Sequence, residues 1–272
     1  IGPILPGSTC RQRLDAMRAL GHEVAEVKST DFTEYRSLWA RLCLKLGRCL
    51  DLDRANERAC AMLAGGRVDV CWIDKATTIR PETLLAARRA APGIALVSYS
   101  PDDMTIRPNR SWRFLKCLPL FDVHFTTKPH NVEALLAAGA RRVELVGNAF
   151  APEVHRPMPR TPQDRERLGG PVGFIGDYER ARGRAIEALG RAGVPVRVWG
   201  PNWRRFWKRR VPNVRIEPTG VFGDDYARAV SNFDINLAFL RKSARDEETT
   251  RSVEIPACEG FMLAERTSRH MA

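Results

Sequence analysis

The sequence predicts an α/β protein made of two Rossmann-like domains, each a parallel sheet covered by helices and the two facing each other across a central cleft. Three observations lead there. Short apolar runs alternate with helix-length stretches along the whole chain, the pattern of βα units. A Pro-rich, charged stretch at 152–170, holding Pro157, Pro159 and Pro162, interrupts the alternation and reads as a linker. The 272 residues suffice for two domains of ordinary size. The expected division is a first domain over 1–156, a linker over 157–170 and a second domain over 171–272.

In the first half, Ser8 or Thr9 caps a helix that runs to Leu20 and stops at Gly21, and residues 22–27 read as a strand. Further apolar runs at 68–73, 94–99, 123–126 and 143–146 alternate with helical patterns at 51–64, 81–91, 111–118 and 129–138. Pro81 and Pro129 stand at early helical positions, where the missing N–H is harmless. In the second half, strands are expected near 172–175, 194–199, 214–216, 234–239 and 261–264. Helices are expected near 178–192, 203–209, 223–231 and 250–258. The opening Ile1-Gly2-Pro3 resembles the exit loop of a strand whose body is missing. The close at Arg269-His270-Met271-Ala272 falls where a doubly wound domain would continue, so both ends read as truncated.

Composition bounds the function. At 44% apolar residues the chain is globular, and no apolar run approaches the ~20 residues that cross a bilayer. With no signal-peptide pattern, a cytoplasmic location is the default expectation. Seven cysteines without a Cys-x-x-Cys pair read as buried reduced thiols, and no structural metal is expected. The net charge of +12 permits a polyanion partner, with its densest clusters at Arg204–Arg210 and Arg107–Arg113. Spread Arg on solvated helix faces is the alternative for both, and specific nucleic-acid binding is not expected.

Candidate chemistry lies in loops following strands, where open α/β sheets bind ligands. Gly176 ends a strand and leads into a helix start with Arg180 and Arg182, a junction that attracts phosphate or merely lets the chain turn. Neither a Gly-x-Gly-x-x-Gly fingerprint nor a Gly-Lys-Ser/Thr loop is present there, against a dinucleotide oxidoreductase and an ATPase. Trp199-Gly200-Pro201-Asn202-Trp203 offers aromatics for a base or for the core, with Trp199 expected to be buried. The polar loop 239–249 carries Arg241, Lys242, Arg245, Asp246 and Glu247 ahead of a helix that begins at Arg251, contains Glu254 and stops at Gly260. Glu254 is expected to face the cleft; a first-turn Glu is also favoured simply by the helix dipole. Asp102 and Asp103 follow a strand of the first half and either handle an acceptor hydroxyl or cap a turn. His124, His130 and His155 are read as structural.

The segment around Glu254 resembles the ribose-binding helix of two-domain glycosyltransferases. More broadly, Ser98-Tyr99-Ser100-Pro101-Asp102-Asp103-Met104, Thr126-Thr127-Lys128, Gly139-Ala140 and Val146-Gly147-Asn148-Ala149 resemble the CgeB-like glycosyltransferase family, named for a spore maturation protein. So do His155-Arg156-Pro157, residues 173–180 and residues 250–267, which include Glu-Ile-Pro-Ala-Cys and Gly-Phe-Met-Leu-Ala-Glu-Arg-Thr. The resemblance implies the GT-B architecture, an unidentified acceptor on the first half, a nucleotide-sugar donor on the second, and no required metal or cofactor. It implies that Glu254 accepts hydrogen bonds from the ribose, a role that suits an acceptor-only carboxylate. Gly176, Arg180, Gly200, Arg245, Arg251 and Gly260 would complete the donor site, with Arg241 and Lys242 in reserve. Many retaining relatives carry two Glu separated by seven residues; here Asp246 occupies the first position with Glu247 beside it. Asp102, Asp103, Asp246 and Glu247 are the catalytic candidates. The rival readings are a catalytically silent sugar-binding or scaffold protein and a basic polyanion-binding module.

Overall fold

The computed structural model describes residues 1–65, 68–107, 109–203, 211–217 and 219–271. It divides into two compact units, residues 1–147 and 148–272. Apart from Trp203, the helix expected at 203–209 and the basic cluster at 204–210 lie outside the described residues.

The sheet of the first unit contains β1 (Val70–Asp74), β2 (Ala95–Ser100), β3 (Val123–Thr126) and β4 (Val143–Leu145), all parallel and in chain order. Its helices are α1 (Thr9–Ala19), α2 (Leu38–Lys45), α3 (Ala55–Leu63), α4 (Pro81–Ala90), α5 (Trp112–Cys117) and α6 (Pro129–Ala137). Ser8, Ser37 and Ser111 cap α1, α2 and α5 by accepting from backbone N–H groups of the first turn. Cys71, Ile73 and Leu96 point to one face of the sheet, where Leu84, Phe114 and Leu135 close the core. One expectation needs correction: residues 22–27 form no strand, and the pairing beside that segment is a single parallel bridge between Gly2 and Lys28. Helix α2, on the other hand, was not anticipated at all.

His124 on β3 is 1% exposed, with Nδ1 3.0 Å from Ser98 Oγ and its ring edge-on to Phe114. Burial pushes its pKa down to about 4 from 6.5, so the fold prefers the neutral ring. This contribution is complete above the unfolded value and is lost as pH falls from about 6.5 towards 4, roughly 3 kcal/mol in all. Urea unfolding across that range should show the loss in the native chain and a flatter profile in His124→Phe. Equal slopes in the two proteins would refute the assignment.

The sheet of the second unit contains β5 (Gly170–Ile175), β6 (Val196–Trp199), β7 (Val214–Ile216), β8 (Phe233–Ala238) and β9 (Met262–Ala264), parallel throughout in the order β7-β6-β5-β8-β9. Around it lie α7 (Pro162–Arg167), α8 (Arg180–Arg191), α9 (Asp224–Asn232), α10 (Arg251–Ala257) and α11 (Ser268–Met271). The order reverses at β5, so the switch point lies between the carboxyl ends of β5 and β8.

The expected linker at 157–170 is built into this unit, and the division falls at Gly147/Asn148 instead. Thr161 caps α7 with Pro162 in its first turn. Asp164 pairs with Arg228 at 2.9 Å and Arg165 with Asp234 at 2.6 Å. Buried Arg197 donates to the carbonyls of Glu166, Arg167 and Gly169 while holding Glu217. The prolines and charges that suggest a hinge serve a helix cap and ion pairs.

Candidate functional site

At the switch point the chain leaves β5 through Gly176, whose N–H donates to Trp199 O and whose carbonyl accepts from Trp203 Nε1, both at 2.8 Å. A Cβ on Gly200 would stand 2.1 Å from that carbonyl, and Gly200 itself has φ +150°. Gly200 therefore lets two strand ends close on each other. Trp199 is buried, as expected, and its ring N–H donates to Leu168 O, which makes it a core residue.

Arg251, at the start of α10, reaches back to β5: its Nε donates to Ile175 O at 2.5 Å, and an Nη lies against Gly176. Arg182, from the first turn of α8, is 5% exposed, lies over the Phe174 ring and donates to Asp177 O at 3.1 Å. Its Nε is buried without a hydrogen-bond partner. Burial lowers the Arg182 pKa; Arg251 and Arg241 push the same way, and Glu179 and Asp246 oppose them. Arg182 from α8 and Arg251 from α10 thus bring their guanidinium groups to the end of β5, at Asp177 O and at Ile175 O and Gly176, while Arg241 in the loop after β8 adds positive charge felt by Arg182; an anion would offset this charge. Arg180 is exposed at the first position of α8; of the two arginines named there, Arg182 is the one in the cluster.

Glu254 is only 7% exposed. One of its oxygens accepts from Tyr226 OH at 2.8 Å and the other lies 3.7 Å from His155 Nε2. His155 Nδ1 accepts from Ala151 N–H at 3.0 Å, which assigns the ring proton to Nε2, towards Glu254. Burial lowers the His155 pKa, against the pull of Glu254. The expected open carboxylate is thus a clamped one. His155 and Tyr226, the second of which sequence reasoning did not single out, hold its orientation.

In the loop after β8, Asp246 has a fully buried side chain and accepts from Arg241 Nε at 3.1 Å. Glu247 accepts from Ser268 Oγ at 2.6 Å, and Lys242 pairs with Glu265. Arg245 is exposed in a left-handed conformation, φ 52°. Helix α10 is ended by Glu259, which takes φ 54°, rather than by Gly260. Gly260 is there for space, since a Cβ would press on Val230, Asn236 and Ile255.

In the first unit, Asp102 pairs with Lys75 at 2.6 Å. Asp103 has no exposed surface, accepts from Thr105 N–H and Oγ1, and lies 3.2 Å from His130 Nε2. Asn131 ties the loop to β3 by donating to Asp102 O and Thr126 Oγ1. Much of the acidic loop is thus given to its own architecture, with Asp102 the more accessible carboxylate. Among the described residues no group of three or more His, Cys, Asp or Glu side chains is placed to hold a metal ion, and no helix is long and apolar enough to cross a membrane.

Each unit is an all-parallel sheet covered by helices, the α/β arrangement of the two Rossmann-like domains of the GT-B fold. Residues 180–272, which carry α8, α10 and the loop after β8, match the family described as glycosyl transferase-like. Among solved structures, the chain resembles one described as an OtsA apo structure, at 12% identity over 86% of this chain and 68% of that one, with a TM-score of 0.53. It also resembles an alpha-glucosyltransferase in complex with UDP and a 13-mer DNA containing a HMU base, at 14% identity over 94% and 74% of the two chains and a TM-score of 0.55. A third, alpha-glucosyltransferase (AGT) in complex with UDP, gives 16% identity over 94% and 75%, with a TM-score of 0.51. At these identities the likeness is one of fold. No curated protein matches the sequence.

Proposed function

We propose that the chain is a metal-independent glycosyltransferase that moves a sugar from a nucleoside-diphosphate donor, bound by the second unit, to an acceptor handled by the first. The observation that carries this reading is that Arg251 reaches Ile175 O and Gly176 while buried Arg182 donates to Asp177 O, with the clamped Glu254 three residues further along the Arg251 helix. Sugar transfer leaves a diphosphate gaining negative charge, and fixed cations at the switch point are suited to take it up. Glu254 keeps lone pairs beyond those engaged by Tyr226, so it serves the ribose hydroxyls. Arg245 is a further phosphate partner. Asp246 and Glu247 place the sugar, and Asp102 orients the acceptor, with Asp103 bracing its loop.

Buried Asp246, tied to Arg241, favours a second reading, a silent sugar-binding protein; donor turnover separates the two. The alpha-glucosyltransferase structures hold UDP, so UDP heads the set to test, with GDP, dTDP and ADP. Calorimetry should show selective binding of one of them, indifferent to EDTA and weakened at least about tenfold in Glu254→Gln, as expected on loss of hydrogen bonds to a charged group. Full affinity in a folded Glu254→Gln protein would reject the ribose role.

A further inference from the structure

Helix α2 turns the wrong side outwards for a helix that serves only a core. Its small residues Ala40 and Cys43 face in, while Leu38, Trp39 and Leu42, with Leu46 just past its end, are 85%, 68%, 49% and 53% exposed. Trp112, which opens α5, adds a second exposed indole at 45%, with Arg113 and Lys116 against its ring. The two helices line one cavity of about 640 Å³, with Trp39, Leu46, Leu50 and Trp112 among its walls. Arg41, Lys45 and Arg48 flank the apolar residues on α2, and Arg107 lies against Gly47 at its end. Across residues 35–50 and 104–121 the sequence has eight Lys or Arg and no Asp or Glu.

We infer that this face docks on an anionic lipid surface, with α2 lying in the interface plane. An exposed apolar stripe flanked by Lys and Arg and carrying Trp is the pattern of interfacial helices, in which indole rings settle at headgroup level and cations meet lipid phosphates. Charge selects this occupant. A second copy of the chain would oppose one cationic face to another, and a nucleic acid would leave Leu38, Leu42 and Leu46 unused. The eight-residue helix is far too short to span a bilayer, so the chain lies on the membrane by this element rather than crossing it.

The test is flotation of the whole chain with vesicles of phosphatidylcholine alone and of phosphatidylcholine with an equal part of phosphatidylglycerol. Binding is expected only to the anionic vesicles, falling with salt and accompanied by a blue shift in tryptophan emission. Trp39→Ser/Leu42→Ser, both at exposed positions, should weaken it roughly tenfold or more with unchanged circular dichroism. Lys45→Ser/Arg48→Ser should weaken it without altering the apolar face. The inference is overturned if the anionic vesicles do not bind, if phosphatidylcholine alone binds as well, or if both variants bind like the native chain. Displacement of the vesicles by duplex DNA would instead make the face a nucleic-acid surface.

Discussion

Arg251→Met should weaken nucleoside-diphosphate binding roughly ten- to a hundredfold, the loss of one or two charge-assisted hydrogen bonds, while shifting stability little. Arg251 is the cation whose position is best fixed, with Nε on the Ile175 carbonyl and an Nη at Gly176. Two opposing terms keep the free protein near its original stability. The carbonyl loses a donor, at about 1 kcal/mol, while buried Arg182 is relieved of a like charge that, with burial itself, lowers its pKa. Calorimetric titration paired with chemical unfolding reads both quantities on one sample. Unaltered affinity in a stable variant would remove Arg251 from the donor site; a large loss of stability would instead make it a structural brace.

Gly200→Ala is the substitution from which the largest structural damage is expected, about 3 kcal/mol of stability together with loss of nucleotide binding. The added methyl would stand 2.1 Å from Gly176 O at a residue with φ +150°, so strand ends must separate. Because that peptide also takes the Trp203 ring N–H, the movement passes directly into the turn between β5 and α8. Gly193→Ala provides the scale: φ is +85° there too, but nothing lies within 4 Å, so only backbone strain of about 1 kcal/mol is at stake. Urea midpoints that rank the two variants equally would show that the close approach yields readily.

The strands were the most legible part of the sequence. Short runs bearing Val, Ile and Phe mark them, and those read at 123–126 and 214–216 coincide with β3 and β7. The misreadings have local causes. Pro157, Pro159 and Pro162 look like a linker because proline shuns helix interiors, yet Pro162 simply starts α7. Helix α2 escaped notice because its large apolar residues mark no buried face. At the site, Gly176, Arg251 and Glu254 could be read from the strand-turn-helix pattern. The choice of Arg182 over Arg180 depends on where α8 begins, and the clamp by Tyr226 joins residues on two helices that no spacing connects.

The all-parallel order also bears on how the chain acquires its shape. Among the described residues no strand meets its neighbour through a tight turn: Val70 waits for Ala95, and Gly170 for Phe233. Every pairing requires closure of a long loop before it is rewarded, so folding is governed by encounters distant in sequence and is slow for the size of each unit. In the second unit the central strand β5 is synthesised first, yet its β8 edge must wait for α8, β6, β7 and α9 to be made. During synthesis that edge stays open to mispairing until β8 is made.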